Sequence, residues 1–84
     1  MEQTLYFKDM KNKDPNNYPS KIYRVEHSKM LLEVLDSTYI QGRAKYFSSI
    51  RARDEFVKSL KDHILRINND EVKLIQKYWR ENNI

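Results

Sequence analysis

A single glycine, Gly42, stands in a chain of 84 residues. Motifs that cradle phosphate on backbone amides need several glycines, because a side chain clashes where the backbone closes on the ligand. The dinucleotide fingerprint and the P-loop are therefore both excluded. The absence of cysteine removes disulfides, thiolate metal sites and thiol nucleophiles together, and suits a reducing cytoplasm. The longest apolar runs, Leu5-Tyr6-Phe7 and Met30-Leu31-Leu32, hold three residues each, against the roughly 20 that a membrane-spanning helix requires. The expectation is a cytoplasmic chain that neither spans a membrane nor carries a secretory signal.

The length gives one small domain, residues 1–84, which buries only about 60% of the surface its unfolded chain exposes. Six Tyr, three Phe and one Trp must supply much of that burial. A homodimer or a bound partner is another way to complete so thin a core.

Local patterning divides the chain. Residues 4–10, TLYFKDM, set Leu5 and Phe7 against Tyr6, and residues 21–26, KIYRVE, set Ile22, Arg24 and Glu26 against Tyr23 and Val25. Both read as short strands. Between them Asp14-Pro15, Asn16-Asn17 and Tyr18-Pro19 make 11–20 a loop. Ser28 is a cap for a helix from Lys29 to about Gln41, stopped at Gly42, with Met30, Leu31, Val34, Leu35 and Thr38 on one arc. Residues 44–47 read as a third strand or a linker. A second helix runs from about Ser49 to Asn68 on a stripe of Phe56, Val57, Leu60, Ile64 and Ile67, with Leu65 left on its outer arc. A last one, residues 71–82, carries Val72, Leu74, Ile75, Tyr78 and Trp79 on one face. The predicted fold is α+β and helix-rich: two N-terminal strands packed with three amphipathic helices.

The net charge of +4 is unevenly placed. Residues 43–53, RAKYFSSIRAR, hold Arg43, Lys45, Arg51 and Arg53 without an acid, while the rest of the chain has 12 basic and 12 acidic residues. Tyr46 and Phe47 lie between the basic pairs, and Ser49 is placed to cap the following helix. Guanidinium groups, hydroxyls and free amides of this segment can converge on an anion. Arg51 and Arg53 also stand at a helix N-terminus, where the helix dipole opposes them; an anionic ligand would compensate. Arg53 falls within the apolar arc of its helix, so its charge must escape to water or be paired.

Lys73, Lys77 and Arg80 form a secondary basic face on the last helix. The junction Asn68-Asn69-Asp70 invites comparison with a helix-turn-helix, though it lacks the usual glycine. His27 and His63 have no local catalytic partners, and two histidines 36 positions apart without cysteine make no metal pattern. No enzyme, cofactor or metal site is expected. The residues point to a small regulatory binding protein of adaptor or inhibitor type. It docks through 43–53 on a partner protein whose surface is acidic or normally holds nucleic acid. The alternative is largely sequence-tolerant binding of DNA or RNA by the same segment together with Lys73, Lys77 and Arg80.

Overall fold

The computed structural model describes residues 4–13, 18–37 and 43–82. In chain order these form β1 (Thr4–Asp9), β2 (Lys21–Glu26), β3 (Leu31–Asp36), β4 (Arg43–Tyr46), α1 (Ile50–Ser59), β5 (Ile64–Ile67) and α2 (Asn69–Asn82). The strands make one antiparallel sheet in the order β4-β3-β2-β1-β5. β1, β2, β3 and β4 follow one another as a meander, and β5 returns to the free edge of β1. The helix-rich expectation is overturned: the molecule is dominated by a five-stranded sheet and has two helices among the described residues.

The register explains why. Opposed residues share a face, so Leu5, Val25, Leu32 and Lys45 form one row across the sheet, and Phe7, Tyr23, Val34 and Arg43 form the next. α1 lies over this first face, where Val57 and Arg53 meet Leu5 and Val25 around a pocket and Phe56 lies under Lys45. The second face carries Tyr6, Ile22, Leu35 and Ile67, against which α2 packs Val72, Ile75 and Trp79. With a helix on each face, an inner strand can be apolar on both sides and lose its period-two signal, as β3 does. Leu31-Leu32 and Val34-Leu35 are such pairs. Read in one dimension they mimic a helical arc, which is why 29–41 reads as a helix although residues 31–36 are β3. The expected stop at Gly42 and the stripe residue Thr38 lie outside the described residues.

The expected helix 49–68 also breaks in two. α1 ends at Ser59, and the Leu60, Lys61 and His63 amides close a turn onto the carbonyls of Val57, Lys58 and Leu60. The chain then pairs with β1: the Met10 amide bonds the His63 carbonyl at 2.6 Å, and Tyr6 stands opposite Ile67. Tertiary pairing of an otherwise bare β1 edge overrides the local helical pattern. Leu65 is exposed because it lies on the outermost strand, opposite Lys8. The helix-turn-helix comparison falls with the same observation, since the element before α2 is a strand. The last helix agrees with its apolar stripe but starts at Asn69 rather than 71, so the cap is neither Asn69 nor Asp70: Asn68 Oδ1 accepts from the Glu71 amide, and Asp70 and Glu71 occupy the first turn, where the helix dipole favours acids.

The described ends of the 11–20 loop are tied to this core. Asp9 is buried and accepts from the amides of Lys11 and Asn12 and from the Asn12 side chain. Tyr18 stacks on Tyr78 at 3.9 Å between ring centroids, and the Trp79 indole N–H donates to the Pro19 carbonyl at 3.0 Å. Lys8 reaches Glu71 at 2.7 Å, joining β1 to α2. Trp79→Phe keeps most of the apolar burial and leaves the buried Pro19 carbonyl without its donor. The expected loss is about 1 kcal/mol of unfolding free energy, read by denaturant titration.

Candidate functional site

β4 brings the first four residues of the basic-aromatic segment, Arg43 to Tyr46, to one edge of the sheet, and all four are exposed. Alternation sends Arg43 and Lys45 to the face that α1 covers, and Ala44 and Tyr46 to the opposite face. Lys45 Nζ sits 4.2 Å from the centroid of the Phe56 ring and 5.6 Å from that of Phe47, a cation-π arrangement that leaves its head at the surface. Phe47 is half-buried and tilted against Phe56, with centroids 5.5 Å apart. Tyr46 is 76% exposed, the most open of the large hydrophobic residues described. Met30 and Ile50 are exposed nearby, placed there by the Phe47 amide bonding the Met30 carbonyl and by the start of α1.

The four cations do not converge, which corrects the expectation of a shared anion site. Arg43 turns to Asp36 at 3.4 Å. Arg51 projects from the first turn of α1 with its side chain 90% exposed and makes a 3.5 Å pair with Glu55. Such a pair contributes little to stability. Ser49 is the N-cap of α1, its hydroxyl accepting from the Ala52 amide at 3.0 Å, so that oxygen holds a helix end rather than a ligand.

Arg53 is the largest correction. It is 2% exposed, and one guanidinium nitrogen donates to the carbonyls of Glu26, His27 and Lys29 while the other two reach Asp54 at 3.0 and 2.6 Å. The helix dipole that opposes a cation here is offset by three carbonyl dipoles and one carboxylate of the chain itself, with no outside anion required. Arg53 is therefore a clasp between α1 and the β2–β3 turn and does not belong to a docking surface. Its position on the apolar arc signals that its charge is paired, but not with what.

Sequence reasoning missed a cross-strand ion cluster on the second face. Arg24 bridges Glu26 on its own strand, at 2.5 Å, and Glu33 on β3, at 3.0 Å, and Lys29 reaches Glu26 at 3.1 Å. The hydrogen bond from Lys29, with the charges of Arg24 and Lys29, outweighs burial and holds the Glu26 carboxyl below its ordinary value of 4.5. The available signal was the alternation of Arg24 and Glu26, legible only once β3 is known to be a strand. These carboxylates are engaged by cations, and among the described residues no three His, Cys, Asp or Glu side chains gather as a metal site.

Lys73, Lys77 and Arg80 are exposed on α2, and Lys77 stands 3.9 Å from Glu81. α2 covers the second face of the sheet and α1 the first, so this stripe and the start of α1 belong to opposite layers. Among the described residues no helix is long and apolar enough to cross a membrane. No family model, curated protein or solved structure matches the chain.

Arg53→Met keeps the aliphatic stem and removes the guanidinium from the carbonyls of His27, Lys29 and Glu26, the last of which keeps the Lys29 amide, so it is expected to cost about 3 kcal/mol in chemical denaturation. Arg51→Met is expected to change stability by less than about 0.5 kcal/mol in the same measurement. Because the Glu26 carboxyl is lowered in the folded state, its stabilisation is complete above its ordinary value of 4.5 and is lost as pH falls through the lowered folded value. Thermal melts across the acid range will show a shallower pH dependence for Glu26→Gln than for the wild type.

Proposed function

We propose that this chain is a small non-enzymatic binding protein of adaptor or inhibitor type, working in a cytoplasm. It docks on a partner protein through the corner made by β4 and the start of α1. The observation that carries the reading is the exposure of Tyr46 on one face of edge strand β4, with the Lys45 head on the other face of that strand and the Arg51 side chain open at the start of α1. An open tyrosine on an edge strand that also presents cations suits a partner whose surface is acidic or normally receives nucleic acid. The ring supplies buried area on docking, and the cations steer encounter. Met30 and Ile50, exposed in the same corner, extend the apolar part of that footprint. Arg53, Phe47 and Ser49 support it from within.

Sequence-tolerant binding of DNA or RNA by segment 43–53 with the α2 stripe draws less support, because the two basic surfaces lie on opposite layers and one strand would have to wrap the molecule. The readings separate by salt. Counterion release makes nucleic-acid affinity fall steeply with ionic strength, whereas an interface with an aromatic anchor keeps much of its affinity. Affinity capture from the source cell is expected to recover one partner with the wild type and to lose it with Tyr46→Ala combined with Lys45→Glu. Undiminished recovery by that variant would remove the corner from consideration. Anisotropy titration of a labelled single-stranded oligonucleotide at two ionic strengths is expected to show no specific complex.

A further inference from the structure

The hydrogen-bond phase of β4 decides which of its backbone groups are used. The Phe47 amide bonds the Met30 carbonyl at 2.9 Å, and the register continues Lys45↔Leu32 and Arg43↔Val34. Hydrogen-bonded and non-bonded pairs alternate along an antiparallel ladder, so Arg43 and Lys45 spend their N–H and C=O groups on β3. Ala44 and Tyr46 direct theirs outward from the sheet edge. Among the described residues nothing pairs with them. The open edge thus offers two donors and two acceptors at alternate residues, with Arg43 and Lys45 on one face and Ala44 and Tyr46 on the other.

Resting on the docking role proposed above, we infer that β4 takes up an extended acidic segment of the partner as a sixth strand. Carboxylates two residues apart lie beside Arg43 and Lys45, and an apolar side chain between them lies over Ala44 against Tyr46. Charge selects this occupant. In the antiparallel register that uses both Ala44 and Tyr46, a second copy of the chain would set Lys45 opposite the same residue of the first, and like charges directly opposed destabilise a strand pair. Cations on an edge turn away neutral and basic strands as well. An acidic strand reverses the sign of that barrier and gains main-chain bonds together with the ion pairs.

The test uses the full chain, isotope-labelled for NMR, and a short synthetic peptide alternating Glu with Val, N-methylated along one edge to prevent self-assembly. A counterpart alternates Lys with Val. The expected result is that the Glu peptide alone shifts the Ala44 and Tyr46 amide resonances and slows their exchange with water. Ala44→Pro removes one outward donor and leaves the β3–β4 bonds intact; it is expected to weaken binding roughly ten-fold, the worth of about one hydrogen bond. Arg43→Glu combined with Lys45→Glu is expected to transfer the preference to the Lys peptide, and it serves as the test should the proline variant fail to fold.

Equal binding of both peptides, undiminished binding by Ala44→Pro, or unchanged Ala44 and Tyr46 amides at millimolar peptide would each overturn strand addition. So would a concentration-dependent dimer in sedimentation that Ala44→Pro dissolves, since the occupant would then be a second copy. Partner capture lost with Tyr46→Ala but kept with Ala44→Pro would reject strand addition and leave the docking corner standing. Capture unaffected by either would reject both.

Discussion

The buried guanidinium of Arg53 is the joint on which the arrangement of layers depends. α1 has to leave the β4 edge, cross the first face of the sheet and deliver the chain to the far edge, where β5 pairs with β1. Nothing in α1 is strongly apolar along its whole length: within it Ala52, Phe56 and Val57 give a half-buried apolar side, continued by Leu60 at its C-cap. Arg53 adds the directional part, binding three carbonyls of the turn that joins β2 to β3. A desolvated charge is tolerated because carbonyl oxygens and Asp54 replace the lost water. The same bonds hold the start of α1, with Ile50 and Arg51, to the β2–β3 turn, while the pairing of β4 with β3 positions Tyr46.

That clasp reshapes the electrostatics of the surface. Four cations without a local acid suggest one concentrated positive spot, but the fold divides them by role. Arg53 is internal, Arg43 is held by Asp36, and Lys45 rests on Phe56. Arg51 extends into water with only an exposed partner at 3.5 Å. What faces outward is a bordered edge: a tyrosine and unpaired backbone groups with cations beside them. A bordered edge recognises a strand or a side-chain pocket better than it recognises a single anion, because its donors are spaced along a line instead of gathered at a point.

Covering both faces of the sheet also explains where pattern reading succeeds and fails. β1 and β2 are legible because Leu5 alternates with Tyr6 and Val25 with Arg24, and α2 because Val72, Ile75 and Trp79 recur at helical spacing toward a single neighbour. β3 is misread because Leu32 is buried on one face while Leu35 packs on the other, which erases the two-residue period. β5 is misread because Ile64 and Ile67 are three apart, as on a helix, and the helix before them ends without a glycine or proline to announce it. Leu65 was the legible irregularity: it has no place on the helical stripe and an ordinary one on an edge strand.

By itself the sequence determined that the chain has no glycine-rich phosphate loop and no cysteine, the location of the surplus charge and aromatic residues, the two N-terminal strands and the last helix. Those follow from residue type and short-range periodicity, which are properties of the chain before it folds. The tertiary structure alone decided that residues 31–36 and 64–67 are strands and that Arg53 turns inward. It also decided that Ala44 and Tyr46 hold the outward backbone groups of an edge. Each of these depends on which segment lies alongside, and hydrogen-bond phase and burial are properties of pairs of segments that no single stretch of sequence carries.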